Sequence, residues 1–150
     1  MKKINKGFTL IELLVVISII SVLAAISLFG LQNARETGRD AARKGDLQAI
    51  ATALEIFRSD CHEYPTNMEF NVTVGDPLEK NCDLIGTDEI YLQEMPGDPV
   101  SEDRYFYSRG AAGVTYTLCS HLEDPPDPAN ETSGCGACNP SPCGFRVLNP

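Results

Sequence analysis

The chain has 150 residues and a mass of 16.3 kDa, which is enough for one domain with a modest core. Its 21 acidic and 12 basic residues give a formal net charge of -9, and this acidity excludes strong electrostatic binding to nucleic acid or to an anionic membrane surface as the main activity. The mean hydropathy of -0.13 is typical of a soluble protein, but it averages over segments of very different character.

A long apolar segment follows a short basic leader. Residues 1–7 contain three lysines, whereas residues 8–31 carry one charge, that of Glu12. As a helix rising about 1.5 Å per residue, this segment reaches roughly 36 Å and can span the hydrocarbon core of a bilayer. Because positive flanks stay in the cytoplasm, the pattern predicts a single membrane span with residues 32–150 exported. A secretory signal peptide fits less well, since its apolar core is shorter and ends in a small-x-small cleavage site.

The start of the apolar segment carries a specific motif. Residues 6–14 read Lys-Gly-Phe-Thr-Leu-Ile-Glu-Leu-Leu, which is a glycine, an aromatic residue and Thr-Leu-Ile-Glu at the opening of a long apolar helix. This resembles the class III signal of type IV pilins and type II secretion pseudopilins. The similarity continues through residues 40–65, and a weaker match covers residues 91–99 and 104–107. The resemblance implies a structural subunit of a type IV filament, either a pilus or a pseudopilus.

The resemblance also implies roles for three residues of the motif. A prepilin peptidase cuts after Gly7 and methylates the new amino terminus on Phe8, and Glu12 pairs with that amino group of an adjacent subunit during assembly. Physics supports the pairing, because a carboxylate in lipid is costly and opposite charges attract strongly at low dielectric. The alternative for Glu12 is an interfacial acid eased by the helix dipole.

Further partners and a location follow from the same resemblance. Residues 1–7 are the leader, residues 8–31 form the transmembrane and filament-core helix, and residues 32–150 form an exported head with a cysteine- and proline-rich tail. The subunit is then expected in the bacterial inner membrane, where it meets an assembly platform and related pilin subunits. After assembly it lies in an extracellular pilus or a periplasmic pseudopilus, as part of a homo-oligomeric filament.

One long helix is predicted from about Phe8 to about Ser59, ended by the proline at position 65. Its second half has two separate apolar stripes at about 100° per residue. The small stripe offers a close approach to neighbouring helices, or merely reflects helix propensity, and the bulky stripe is expected to pack on the head. We also expect an i,i+4 ion pair from Asp40 to Lys44. The small stripe comprises Ala34, Gly38, Ala41 and Gly45, and the bulky stripe comprises Leu47, Ile50, Leu54 and Phe57.

The rest of the head is predicted to be a small antiparallel sheet. Residues 66–89 are predicted to form a polar connection, and strand-like segments follow at residues 104–108, 114–121 and 144–148. Alternation of apolar and polar side chains in the second of these is typical of a half-buried strand. The fold class is therefore α+β, with a long helix against a small antiparallel sheet, as in pilins.

Six cysteines lie in the predicted head. In an exported domain an even number indicates disulfides, and six allow 15 pairings. A bond between Cys61 and Cys82 would join the end of the helix to the following loop, and the other four would cross-link the tail. A tetrathiolate zinc site is the rival for those four, because two of them have ligand spacing. The four tail cysteines are Cys119, Cys135, Cys138 and Cys143.

Other ligands and activities have weaker support. Calcium is a second possible cofactor, since some major pseudopilins bind it through a loop of the head, but the acidic residues lack EF-hand spacing and are also typical of a solvated face. No motif of a hydrolase, phosphate loop or metalloprotease is present, so we expect no enzyme. Two other functions are compatible with the sequence: a minor tip pilin that binds a ligand through its cysteine-rich tail, and a membrane-tethered metal or redox protein. The possible calcium ligands are Asp98, Glu102, Asp103, Asp124 and Asp127.

Overall fold

The computed structural model describes residues 7–80, 82, 89–125, 134–136, 138 and 142–149. The predicted leader therefore lies outside the described residues, apart from Gly7. The fold is α+β, as predicted, with a long helix and small antiparallel sheets. The helices are α1 (Leu10–Cys61) and α2 (Asn67–Phe70), and the strands are β1 (Leu78–Lys80), β2 (Glu89–Leu92), β3 (Phe106–Arg109), β4 (Tyr116–Ser120) and β5 (Phe145–Leu148).

Helix α1 begins and ends two residues later than predicted. Its last turn closes when the backbone N–H of His62 donates to the carbonyl of Arg58 at 2.8 Å. His62 then takes a φ of 64°, a left-handed conformation that turns the chain out of the helix. Pro65 follows and keeps Tyr64 out of the helical region. The prediction of one long helix that stops before this proline is confirmed.

The chain divides into two compact units between Glu36 and Thr37. In the first unit, large apolar side chains are exposed all around α1, from Leu10 to Leu31. Among the described residues, α1 is the one helix that is long and apolar enough to cross a membrane. A helix that is apolar on every side needs an apolar environment on every side.

The second unit is the head, which contains two antiparallel sheets. Strands β3, β4 and β5 pair in that order, and Leu118 lies opposite both Tyr107 and Val147. These strands confirm the three predicted segments within a few residues. Strands β1 and β2 form a separate two-stranded sheet.

The expected polar connection at residues 66–89 was wrong in its first part, where the structure has α2 and β1. Thr66 and Glu69 form a capping box, in which the Thr66 N–H donates to the Glu69 carboxylate at 2.7 Å and the Glu69 N–H donates to the Thr66 hydroxyl at 3.2 Å. Phe70 then enters the core and stacks on Tyr107, with ring centroids 4.0 Å apart. The capping box and the burial of Phe70 thus stabilise a single helical turn within a polar segment.

The core of the head lies between the second half of α1 and the sheets. The bulky stripe of α1 faces it, as predicted: Leu47, Ile50, Leu54 and Phe57 each have 0% exposure. The ring of Phe57 contacts Tyr91 of β2, and Leu118 of β4 belongs to the same core as Leu54. All four residues of the small stripe are exposed, so that face of α1 has no cover within the described part of the chain.

Two substitutions on neighbouring positions of α1 test this orientation. We expect Leu54→Ala to lower the free energy of unfolding by about 2–5 kcal/mol, because it leaves a cavity in the core. Ile56→Ala is the matched control, since this side chain is 51% exposed, and its cost is expected to stay within about 0.5 kcal/mol. Urea unfolding of the full chain in detergent micelles measures both. Equal losses for the two variants would contradict the burial of the stripe.

Candidate assembly site and buried ion-pair cluster

The first turn of α1 is closed by Thr9 and Glu12. The backbone N–H of Thr9 donates to the Glu12 carboxylate at 2.9 Å, and the Thr9 hydroxyl donates to the same oxygen at 2.7 Å. In return, the Glu12 N–H donates to the Thr9 hydroxyl at 3.3 Å. This is a capping box, which satisfies N–H groups that a helix start leaves without partners.

Thr9 was not among the residues predicted for this site, although the sequence carries the signal for it. The spacing Thr-x-x-Glu before an apolar run is the pattern of a capping box. Glu12, whose charge would be costly in lipid, therefore has a hydrogen-bond partner three residues away in its own chain. Because the cap holds a charged carboxylate at a helix N-terminus, the helix dipole also favours it there.

The other two residues of the motif lie directly before the cap. Phe8 is 88% exposed, and the position of a Cβ on Gly7 would meet no heavy atom within 4 Å. The three predicted residues, Gly7, Phe8 and Glu12, are thus together at one accessible helix start. All three residues are exposed.

A cluster of charged side chains lies inside the head and was not predicted from the sequence. Arg43 is 1% exposed, and its guanidinium contacts three carboxylates: Asp98 at 2.6 Å, Asp40 at 2.7 Å and Glu123 at 2.8 Å. The guanidinium of Arg39 makes a bidentate contact with the same Glu123 carboxylate, with its Nε 2.7 Å from one oxygen. The cluster joins α1 to the loop after β2 and to the segment after β4.

The carboxylates of the cluster titrate below their usual range. Hydrogen bonds from Arg39 and then Arg43 outweigh partial burial and lower the pKa of Glu123 to about 2. Burial opposes the charged forms of Asp40 and Asp98, but backbone N–H groups and the Arg43 guanidinium outweigh it, and both pKa values are lowered. The cluster is therefore fully ionised at neutral pH.

Two expectations are corrected by this cluster. Asp40 does not pair with Lys44; it pairs with Arg43 and accepts the N–H groups of residues 123 and 124, because that carboxylate points into the head. The ammonium of Lys44 lies instead over the ring of Phe145, 5.7 Å from its centroid. Asp98, one of the five possible calcium ligands, is 4% exposed and bound to Arg43, so it does not lie on the solvated face that was the alternative expectation.

The structure joins the six cysteines in three disulfides. Cys61 and Cys82 connect the end of α1 to the segment after β1, with Cα atoms 4.9 Å apart. The four tail cysteines form two further bonds and pack together with Phe106 as a second small core. The tail bonds are Cys119–Cys135 and Cys138–Cys143.

Within the described ranges, no group of three or more His, Cys, Asp or Glu side chains lies close enough together to hold a metal ion. Asp127, one of the five possible calcium ligands, lies outside those ranges.

Comparison with known proteins identifies the family. A model of the prokaryotic N-terminal methylation motif matches residues 2–28, and a model of type II secretion system protein G matches residues 30–133. The chain belongs to the protein G family of type II secretion systems. The resemblance to pseudopilins and the predicted structural filament subunit are thereby confirmed, and the family decides between pilus and pseudopilus in favour of the latter.

Curated members of the protein G family align over most of their length. Type II secretion system core protein G of Pseudomonas aeruginosa is 31% identical over 114 residues, covering 73% of this chain and 78% of that protein. The Escherichia coli K12 relative is 33% identical over 117 residues, with coverages of 77% and 80%. The Vibrio cholerae relative is 32% identical over 120 residues, with coverages of 76% and 80%. No solved structure matches the chain.

The buried cluster gives this protein G chain a pH-dependent stability. A carboxylate whose pKa is lowered by folding contributes stability above its unfolded pKa and loses it as the pH falls through the folded value. We therefore expect the free energy of unfolding to decrease between about pH 4.5 and about pH 2, the range over which Glu123 titrates. Urea unfolding at a series of pH values measures this slope.

Arg43→Met separates the cluster from other acid effects. At neutral pH we expect a loss of about 3–5 kcal/mol, because buried carboxylates are left uncompensated. Acid should then neutralise those carboxylates and reduce or reverse the loss. Arg35→Met is the control, since Arg35 is exposed and forms no ion pair among the described residues. An unchanged acid slope in the Arg43 variant would contradict this account.

The disulfide pattern is checked on the full chain purified without reductant. Peptide mapping under non-reducing conditions should give the three pairs of the structure, and the denatured chain should contain no free thiol. Four thiols released with one zinc ion would instead identify the tetrathiolate site. Replacing Cys61 and Cys82 by Ala is expected to lower the free energy of unfolding by about 3 kcal/mol. Replacing Cys138 and Cys143 by Ala is expected to lower it by about 1 kcal/mol less than that, because the ring closed by this bond is shorter.

Proposed function

We propose that the chain is the major subunit of a periplasmic pseudopilus, inserted in the inner membrane and assembled through its N-terminal helix. One observation carries the proposal: the methylation motif over residues 2–28 is joined to a protein G match over residues 30–133. The exposed apolar start of α1 supports the membrane insertion, and the three lysines before it favour a cytoplasmic leader.

Processing is the first step of the proposed pathway. Prepilin peptidase cuts between Gly7 and Phe8, removes residues 1–7 and methylates the new amino terminus. The absence of a side chain at Gly7 and the exposure of Phe8 favour access to this bond. Residues 8–31 then remain as the membrane and filament-core segment, with residues 32–150 exported.

Assembly transfers the Glu12 carboxylate between two environments. Before assembly, its charge is held by Thr9 within the same chain. In the filament, we infer that the carboxylate meets the Phe8 amino group of a neighbouring subunit, where low dielectric strengthens the attraction. The neighbour can be another copy of this chain or a related pilin subunit delivered by the assembly platform.

The exposed small stripe of α1 supports close packing in that filament. Gly38 and Gly45 have no heavy atom within 4 Å of a Cβ position, so another helix can approach the backbone there. The subunit acts as a building block, without catalytic activity of its own.

Substitutions of Glu12 test the pairing. We expect Glu12→Ala to reduce filament assembly at least about tenfold without affecting membrane insertion, since breaking a buried charge pair costs about 3–5 kcal/mol. Glu12→Gln keeps an acceptor for the Thr9 N–H but removes the charge, so it should fail equally. Sheared filaments quantify assembly, and carbonate extraction of membranes measures insertion.

Glu36→Ala is the matched control on the same helix and should assemble normally. Intact mass spectrometry of each variant reports whether the chain begins at Phe8 and carries one methyl group. Normal filaments from processed Glu12→Gln would show that assembly needs the helix cap rather than the charge, and would overturn the proposed pairing.

A further inference from the structure

The segment directly after α2 contains an asparagine in a pattern that a group-transfer enzyme recognises. Residues 71–73 read Asn-Val-Thr, which is the Asn-x-Ser/Thr acceptor of N-linked glycosylation, with no proline at the middle position. The same pattern occurs at residues 130–132, which lie outside the described ranges. So short a pattern also arises by chance, and its value depends on where the folded head places the two functional side chains.

The structure presents those two side chains to solvent together. Val72 is half-buried and packs against the main core of the head, whereas Asn71 and Thr73 are exposed. This alternation of outward and inward side chains is that of an extended segment, in which residues two apart lie on the same side. A transferase can therefore reach the carboxamide and the hydroxyl from one direction while Val72 stays in the core.

The carboxamide of Asn71 is oriented with its nitrogen away from the protein partner. Its oxygen accepts a hydrogen bond from the guanidinium of Arg104. Because a guanidinium has donors only, the oxygen and not the nitrogen of the amide must face it. Within the described part of the chain, neither the Asn71 Nδ2 nor the Thr73 hydroxyl has a hydrogen-bond partner. The atom that a glycan would be joined to is thus accessible.

A turn with open space beside it follows the segment. The N–H of Asp76 donates to the carbonyl of Thr73 at 3.0 Å, and Gly75 takes a φ of 90°. A Cβ built on Gly75 would meet no heavy atom within 4 Å, so nothing in the described head covers this side of the turn. A bulky, hydrophilic group attached at Asn71 would meet no packed surface there.

We propose that Asn71 is an acceptor for N-linked glycosylation of the exported head. The donor is a glycan joined through its anomeric carbon to a lipid diphosphate. The Asn71 Nδ2 forms the new bond to that carbon, the bond from the carbon to the diphosphate oxygen breaks, and the lipid diphosphate leaves with the electron pair. The proton lost by the amide passes to a base of the transferase. The inference rests on the export of the head in the proposed function, and it does not depend on filament assembly.

The test isolates the full chain in detergent from the cells that naturally produce it and maps its tryptic peptides by mass spectrometry. We expect the peptide 59–80 to carry a glycan on Asn71. Asn67 lies in the same peptide without the acceptor pattern and should remain unmodified. Asn71→Gln removes the acceptor, and Thr73→Val removes the hydroxyl while keeping a branched side chain, so both should abolish the glycan. Thr73→Ser keeps the hydroxyl and should retain it.

The oxidation state of the cysteines separates failure of export from failure of modification. An unmodified peptide 59–80 from a chain with no free thiol would overturn the proposal, as would a glycan that persists in Thr73→Val. A reduced and unmodified chain would overturn the export in the proposed function, and this inference with it. A glycan confined to the peptide 110–146 would assign the modification to Asn130 and overturn the role of Asn71.

Discussion

The placement of a single guanidinium constrains much of the head. Arg43 projects from α1 into the protein, where an unpaired cation would cost several kcal/mol, so carboxylates must reach it from elsewhere in the chain. Asp98 comes from the loop after β2 and Glu123 from the segment after β4. Each of those segments buries an apolar side chain, Met95 or Leu122, and the ion pairs hold the charged residues near it in a defined position. The apolar stripe of α1 fixes the sheets against the helix, and the ion pairs fix the connections between the strands.

The two parts of helix α1 have to satisfy different surroundings. Between Leu10 and Leu31, the large apolar side chains that the structure describes are exposed on every side, which suits lipid or the interior of a bundle. From Leu47 onwards only one stripe is buried, and it is buried in the chain's own core. The capping box at Thr9 serves the first of these environments, since it removes unpaired N–H groups from a helix start that water does not necessarily reach.

Periodicity and motifs predicted the fold well where one physical signal dominates. The stripe ending at Phe57, the proline stop at residue 65 and the position of the strand at Tyr116–Ser120 each follow from local spacing. The expected alternation of buried and exposed side chains in that strand was wrong, because its last three residues are all buried. The ion-pair cluster could not be predicted from local spacing, because the partners of Arg43 are 55 and 80 residues away and charged residues on a helix are ordinarily solvated. Helix α2 was missed because its cap and its one anchor, Phe70, occupy a segment too short for periodicity. At the assembly site, Glu12 was identified because a carboxylate is costly in lipid. Its partner Thr9 could be identified only from the Thr-x-x-Glu spacing of a capping box.

The three disulfides give the head a dependence on compartment and on order of synthesis. Thiols remain reduced in a bacterial cytoplasm, so a copy held there would lack all three cross-links and the small core that the tail cysteines build with Phe106. Cys138 and Cys143 are synthesised after the other four cysteines, so their bond is the last of the three that can form. The order of synthesis therefore makes closure of this bond the final covalent step in the maturation of the head.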